Sequence, residues 1–445
     1  MKTKMHLGFD LSWTHLEGRW RLPGSWTGVT FPDVRMYEEI ALLAERGLMD
    51  FIFFGDGTGI PSTWQGSRDA AVKWGIGWPR QDMSPYIALM SRITRHVGFG
   101  LTYSSTFMHP FYVARLLNSL DHVTGGRIAF NVIASSRRAD AANYGFDELM
   151  EHALRYERME EFIAVCKALW ASVDPDALIW DRETGIVADV GKVRPIDHVG
   201  RFFNVKGPLA SVPSPQGRPV LIQAGASPRG IQASAQIADH VFAASPGLPR
   251  QLKHRAALDQ ALTLEGRDPQ TVGMLWDVVM IVAETEVEAK RRKEQLLTAV
   301  PPEAVGAFLS HHMGYDLSKL PDRFTVLEIN EQITATNASP VNFLNMTREL
   351  DPTTIMTREE FYQHMIQRTA SYEDCFAGTA EQAADYLEEV FVATGERGGF
   401  MIAHPPVTPR DLAGVVDYLV PELQRRGRFR TEYKSRLLRE NLAPD

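Results

Sequence analysis

The turn at Gln223–Gly230 has the composition of a phosphate-binding loop. Ser227 is followed by Pro228, an order typical of the cap and first turn of a helix. The glycines let a ligand approach the backbone closely, and unbonded N–H groups at a helix start attract anions. The same residues also suit a plain helix cap without a ligand, and the turn by itself leaves both interpretations open.

His152 and Tyr156 form a second candidate pair. They are four residues apart in a stretch of helical period, so they share one face of the helix. Both side chains could donate hydrogen bonds to a ligand at the same end of the fold. The alternative is a surface or capping pair that contacts no ligand.

Aromatic residues are concentrated in two loops, whose tryptophans include Trp13, Trp26, Trp64, Trp74 and Trp78. The aromatic content favours a flat, apolar substrate, with Trp13, Trp64, Trp74 and Trp78 as the candidate contacts. Arg68, Lys73 and Arg80 in the same stretch would suit an acidic substrate instead. Core packing is the alternative for each tryptophan.

The elements that must position these residues follow an alternating rhythm of short apolar runs and helical segments. The predicted strands are Met5–Phe9, Met49–Phe54, Val97–Leu101, Arg127–Val132, Pro219–Gln223, His240–Ala244, Val272–Val282 and Gly399–Ile402. The predicted helices are Asp33–Arg46, Ser84–Arg95, Phe111–Leu120, Phe146–Trp170, Gly230–Ile237, Pro249–Thr263, Glu286–Leu297 and Pro409–Leu423. Such alternation indicates parallel strands with helices outside, and eight units favour an α/β fold of the closed (β/α)8 TIM barrel type.

Two stretches interrupt the rhythm, at about 171–217 and 301–378, and we interpret them as insertions into one domain that spans residues 1–445. Functional residues of such barrels sit at the carboxyl ends of the strands. The segments at the ends of strands two to five are residues 53–59, 101–110, 131–135 and 223–230. They are polar, small and flexible, as expected of a site for a large polar cofactor.

Composition excludes several classes of function. The net charge of −8 argues against nucleic acid as a partner. The basic tail after Pro421 is interpreted as a solvated helix or a subunit contact. No run of about 18 apolar residues predicts a membrane span, and no signal peptide is recognised, so we expect a cytoplasmic protein. Two cysteines, Cys166 and Cys375, provide neither a disulfide framework nor a metal site.

An ordered set of segments resembles the nitrilotriacetate and dibenzothiophene-sulfone monooxygenase branch of the bacterial luciferase-like, flavin-dependent superfamily. The matching segments run along nearly the whole chain: Trp20–Pro23, Glu45–Asp50, Ser104–Pro110, Ala114–Arg115, Leu120–Asn131, His152–Tyr156, Gln223–Gly230, Phe376–Thr379 and Val420–Gly427. No single segment is decisive, but their order is specific.

This resemblance implies a (β/α)8 barrel that binds FMN, used in its reduced form FMNH2, with O2 as cosubstrate. It places Asp56 and Thr102 beside the isoalloxazine ring, and Asn131 at the flavin edge. It assigns His152, Tyr156 and Ser227 to the ribityl chain and phosphate. A separate NAD(P)H:flavin reductase is the implied partner, and a homodimer or homotetramer the expected assembly. The implied activity is oxidation or cleavage of a small aromatic or heterocyclic molecule.

Four other functions fit the sequence less well. A nicotinamide-binding Rossmann fold is disfavoured because Gly55–Gly59 lacks the required glycine spacing and Pro61 prevents an immediate helix. A hydrolase is unsupported, since the sequence has no G-x-S-x-G and no H-E-x-x-H. A coenzyme F420-dependent oxidoreductase on the same barrel and a non-catalytic flavin-binding protein remain alternatives.

Overall fold

Eight parallel strands close into a barrel in the computed structural model. The structure describes residues 2–12, 19–23, 33–135, 137–244, 247–335, 343, 347, 350–369, 375–403 and 409–443. The strands are β1 (His6–Asp10), β2 (Phe51–Phe54), β3 (Gly98–Ser104), β4 (Ile128–Ile133), β5 (Val220–Ala224), β6 (His240–Ala243), β7 (Gly273–Val282) and β8 (Gly398–Ala403). Each strand pairs with the next along the chain, and β8 pairs back onto β1, from His6 opposite Gly399 to Asp10 opposite Ala403. The predicted (β/α)8 barrel is confirmed.

Alternation along the strands decides which side chains face the inside of the barrel. Phe51, Phe53, Ala129 and Ile222 share one small buried cluster in the lumen. Their neighbours along the strands, such as Phe130, belong to the larger core between strands and helices. Because successive side chains point to opposite faces of a strand, every second residue from Ala129 onward faces the lumen.

The main helices of the chain are α1 (Val34–Arg46), α2 (Ser84–Ile93), α3 (Pro110–Thr124), α4 (His152–Trp170), α5 (Pro228–Ile237), α6 (Leu248–Leu264), α7 (Glu286–Thr298), α8 (Pro302–Met313), α9 (Val326–Ala335), α10 (Arg358–Thr369), α11 (Ala380–Ala393) and α12 (Pro409–Gly414, continued through a π-helical turn, Val415–Leu419, into Val420–Arg425). Shorter helices occupy Asp69–Trp74, Arg138–Asn143 and Leu438–Asn441.

The long helix predicted from Phe146 begins only at His152. The carboxylate of Glu151 accepts hydrogen bonds from the backbone N–H groups of Ala153 and Leu154, each at 3.0 Å. This cap stops the helix from extending toward Phe146. His152 therefore occupies the first helical position, at the end of α4 that lies near the barrel mouth.

The helix predicted from Glu286 is present, but the outer position just before β8 is taken by α11, which we did not predict. A capping box between Thr379 and Gln382 begins α11, and its Ala383, Leu387 and Phe391 enter the main core. By contrast, α7 packs against the upper half of β7. The chain between these two helices carries the second insertion.

The first insertion contains a short hairpin, His198–Val199 paired with Asn204–Val205. The second contains α8, α9 and α10, with an antiparallel pair of short strands, Arg323–Phe324 and Met356–Thr357. These three helices build a separate apolar cluster together with Trp64 from the loop after β2. The second insertion is therefore anchored to the mouth of the barrel.

The tail after α12 closes the lower end of the barrel. Leu438 and Leu442 join the lumen cluster and are almost completely buried. Arg430 forms an ion pair with the buried carboxylate of Asp50, and Arg428 pairs with Glu388 at 2.8 Å. These arginines bind acids of the barrel, which differs from the solvated helix or subunit contact that we expected. Across the described ranges, no helix is both long and apolar enough to cross a bilayer.

Candidate active site

The candidate site lies at the carboxyl ends of the barrel strands, where the polar segments predicted from the sequence come together. The turn after β5 brings Ser227 and Gly230 to the start of α5, and α4 passes beside this turn. The adjacent strands β3 and β4 supply Thr102 and Asn131 from the lumen side. Residues from four separate segments of the chain therefore face one opening.

A cradle for an anion forms where α4 meets the turn after β5. The hydroxyl of Ser227 accepts the backbone N–H of Gly230 at 3.1 Å. A β-carbon at Gly230 would lie 3.0 Å from the hydroxyl of Tyr156 and 3.2 Å from that of Ser227, so glycine keeps the space between the two hydroxyls open. His152 packs edge-on against Tyr156, with ring centroids 5.1 Å apart.

Arg229 supports this cradle from outside. Its guanidinium forms a two-pronged ion pair with Glu160, at 2.6 and 2.9 Å, and lies 5.4 Å from the ring of Tyr156. Because its charge is already paired, Arg229 acts chiefly by holding Tyr156 in place. The hydroxyls of Tyr156 and Ser227, with the N–H groups at the start of α5, are the donors that remain for a phosphate.

Thr102 and Asn131 form a cross-strand pair that faces the lumen. The side-chain amide of Asn131 donates to the hydroxyl of Thr102 at 3.0 Å, and both residues are at least 96% buried. Within the part of the chain that the structure describes, the carbonyl oxygen of the Asn131 side chain has no donor. A buried acceptor without a donor is costly, so this oxygen is suited to an N–H group of a ligand.

Asp56 lines a cavity of about 290 Å³ beside this pair. Burial raises the pKa of its carboxyl group above the ordinary value, although the charge of Arg80 works in the opposite direction. Its side chain accepts the N–H of Gly57 at 2.8 Å. Tyr103, Phe107 and Trp78 line the same cavity.

The three candidate tryptophans that the structure describes do not lie together. Trp78 is 40% exposed and lines the cavity at the mouth. Trp64 packs against Gly306 and Tyr362 of the second insertion, and the indole N–H of Trp74 donates to Glu303 at 2.8 Å. Trp64 and Trp74 thus contact the insertion and do not line this cavity. Trp13, like Trp26, lies outside the described residues.

These residues fit an FMN molecule. The cradle at Gly230 has hydroxyl donors for one terminal phosphate, and the carbonyl of Asn131 can accept from the polar edge of a flavin ring. Asp56 lines the cavity, and Thr102 is bonded to Asn131. No second phosphate cradle was recognised in the sequence, which favours a mononucleotide.

Comparison with known proteins decides the family. The profile of the family described as luciferase-like monooxygenase matches residues 13–397. The dibenzothiophene-sulfone monooxygenase of Rhodococcus erythropolis is 35% identical over 430 residues, which cover 96% of this chain and 93% of that protein. This chain belongs to the luciferase-like monooxygenase family.

Two solved structures agree. A long-chain alkane monooxygenase superposes with a TM-score of 0.88 at 30% identity, covering 99% of this chain and 96% of that one. A riboflavin lyase solved with modified FMN and riboflavin gives a TM-score of 0.86 at 26% identity, covering 99% and 95% of the two chains. This luciferase-like monooxygenase is therefore a flavin-dependent enzyme that uses reduced FMN and O2.

Sequence reasoning missed two carboxylates inside the barrel of this monooxygenase. Asp10 ends β1 and Asp277 lies within β7, each at a position that faces the lumen. Burial raises the pKa of Asp10 from 3.8 to about 6, and burial together with Asp10 raises that of Asp277 well above its ordinary value. The signal was available, since an acid inside the apolar run Gly273–Val282 is unusual for a buried strand.

Proposed function

We propose that this luciferase-like monooxygenase is the oxygenase of a two-component system, which oxidises or cleaves a small aromatic or heterocyclic molecule. The observation that carries the proposal is the combination of three features at one opening. A phosphate cradle and a buried carbonyl acceptor provide for reduced FMN, and a cavity of about 290 Å³ with aromatic walls remains beside them.

Each residue has a stated task in this proposal. Ser227 and Tyr156 donate hydrogen bonds to the phosphate, while His152 holds Tyr156 and reaches the ribityl chain. Asn131, positioned by Thr102, accepts from the ring edge, and Asp56 closes the side toward the cavity. When bound, reduced FMN supplies the electrons that activate O2. The buried walls exclude water from the reacting region.

We further propose that a separate NAD(P)H:flavin reductase supplies the FMNH2. Support comes from the sequence, in which Gly55–Gly59, a glycine-rich segment after a strand, lacks the spacing of a nicotinamide site. The second half of this segment packs against the helix Arg138–Asn143, since a β-carbon at Gly59 would collide with Ala139. We place the enzyme in the cytoplasm, as a homodimer or homotetramer built from single-domain chains.

A reconstitution experiment tests the proposed function. Purified protein, FMN, NADH and a generic flavin reductase are incubated with candidate aromatic heterocycles, and the products are followed by mass spectrometry with ¹⁸O2. We expect a product that carries ¹⁸O only when the reductase is present. Robust NADH oxidation by the purified chain alone would contradict the two-component proposal. Substrate oxidation with coenzyme F420 and without O2 would favour the F420 alternative.

A further inference from the structure

Two guanidinium groups from separate loops converge on the backbone of Gly57. A β-carbon at this position would collide with Nη1 of Arg137 and lie 3.7 Å from Nη1 of Arg80. The missing side chain of Gly57 lets the guanidinium of Arg137 lie against the loop, next to that of Arg80. Arg80 lies in the tryptophan-rich segment after β2, and Arg137 lies in the loop after β4. The fold therefore brings together two arginines that are far apart in the sequence.

The charge of Arg137 is not matched by an acid. Arg80 donates to the carbonyl oxygen of Ser12 at 3.1 Å. For the partly buried guanidinium of Arg137, the described ranges provide no hydrogen-bond acceptor and no ion pair. The partly buried guanidinium groups of Arg80 and Arg137 repel each other, and an anion bound between them would offset this electrostatic repulsion.

Three acids line the cavity of about 290 Å³ at the barrel mouth, and each already accepts a hydrogen bond from another group. Asp140 accepts the N–H of Gly59 at 2.7 Å. Asp82 accepts the N–H of Ser84 at 2.8 Å and the hydroxyl of Tyr103 at 3.2 Å. Asp56, which faces Arg80, is itself shifted toward the neutral form by burial. Within the described residues, none of these three carboxyl groups bonds to the guanidinium of Arg137.

Two histidines of the second insertion face the same charges. Burial, and then the charges of Arg137 and Arg80, lower the pKa of His311 to about 3. Burial, then the neighbouring His311 and the same two arginines, lower the pKa of His312. Both imidazoles are neutral at pH 7, so the positive charge here belongs to the two arginines.

Part of the cavity wall is aromatic. Phe107 stacks on Tyr144 with ring centroids 5.1 Å apart and planes 7° from parallel. Both rings line the cavity together with Trp78 and Arg80. A flat apolar body fits against these rings, with a charged group directed toward the arginines.

We propose that the substrate of this enzyme carries a carboxylate, which Arg137 and Arg80 bind while the flat part of the molecule packs against Phe107, Tyr144 and Trp78. This inference rests on the proposed function and names the substrate class of the same site. Arginine is suited to the task because its planar fork matches the two oxygens of a carboxylate.

The test compares two probes of nearly equal shape, 2-naphthoate and 2-naphthamide, by calorimetric titration of the FMN-loaded protein. We expect 2-naphthoate to bind roughly ten- to a hundred-fold more tightly, the range for a charge-assisted hydrogen bond. In Arg137→Gln, the ratio of the affinities for 2-naphthoate and 2-naphthamide should fall nearly to one. The preference should persist in Arg138→Gln, which changes the exposed arginine next along the chain.

Arg137→Lys separates charge from shape, since it keeps the positive charge and must keep part of the preference. The pKa of His311, followed by NMR, should rise when 2-naphthoate binds and stay constant with 2-naphthamide. Equal binding of both probes by the unmodified enzyme, binding of neither, or an unchanged preference in Arg137→Gln overturns the proposal.

The outcome is separable from that of the proposed function. If Arg137 selects the carboxylate but no oxygenated product is formed from any aromatic carboxylate, the anion site stands and the monooxygenase proposal fails. If only neutral heterocycles are oxygenated and Arg137→Gln leaves their KM unchanged, the monooxygenase proposal stands and the anion site fails.

Discussion

The side-chain amide of Asn131 donates a hydrogen bond to the hydroxyl of Thr102, at 3.0 Å, and its carbonyl oxygen faces the barrel lumen. The hydroxyl thus fixes which end of the amide is presented to a ligand. This arrangement leads to the first prediction.

Thr102→Val should weaken the binding of reduced FMN, because the amide of Asn131 loses the acceptor that orients it. Asn131→Ala removes the carbonyl itself and should cost roughly ten-fold in affinity, the value of one hydrogen bond of about 1.4 kcal/mol. Thr102→Ser retains the hydroxyl and serves as the matched control. Anaerobic titration with FMNH2 measures all three, and equal affinities would remove the pair from the flavin site.

Ser227→Ala and Tyr156→Phe should each weaken FMN binding by roughly ten- to a hundred-fold, because each deletes one hydrogen bond to a charged phosphate. Ser227→Ala should also lower stability by about 1 kcal/mol, since Ser227 caps α5. Ser119→Ala, which deletes an exposed hydroxyl on α3, is the control. Fluorescence titration that finds unchanged affinity in both variants would argue against the cradle.

Trp78→Ala and Trp64→Ala should change different properties of the enzyme: the first should change KM and the second stability. Trp78 lines the cavity, so its loss should raise KM for an aromatic substrate while FMN affinity stays nearly constant. Trp64 is 9% exposed and packs on the second insertion, so its loss should cost about 3–5 kcal/mol of stability and leave KM alone. Steady-state kinetics and thermal melting of both variants decide. The reverse pattern would place Trp64 in the substrate site.

The buried pair of Asp10 and Asp277 should make the protein less stable as the pH rises from about 4 to about 6. Because the pKa of Asp10 is raised from 3.8 to about 6, the folded protein binds more protons than the unfolded chain within that window. The shift of Asp277 has the same sign. Asp10→Asn should therefore flatten the dependence by about 1–3 kcal/mol. Melting temperatures at pH 4.5 and 6.5 test this, and a parallel dependence in the variant would exclude Asp10 as its source.

Much of the architecture could be read from residue patterns, and the exceptions have physical causes. The eight apolar runs predicted the strands because a parallel strand covered on both sides has few polar positions. The start of α4 was misplaced because the cap at Glu151 depends on a side-chain hydrogen bond. Helix α11 was missed because it lies directly after the long second insertion.

The site was foreseeable where one segment carries the signal, as in the turn at Ser227. It was not foreseeable where separate loops meet. Arg137 is unremarkable in sequence, and its relation to Arg80 depends on how the loops after β2 and β4 fold over Gly57. Likewise, Trp64 and Trp78 look alike in the sequence, and the helix that contacts Trp64 lies more than two hundred residues later in the chain.

The leucines of the tail give the barrel a blind end. A β-carbon at Gly98 would already lie 2.7 Å from Leu438, which leaves no passage along the lumen at that level. Substrate must therefore enter, and product must leave, through the same opening that admits the flavin. A product that lingers there blocks the next molecule, so we expect product inhibition to be competitive with substrate and turnover to slow as bulkier products accumulate.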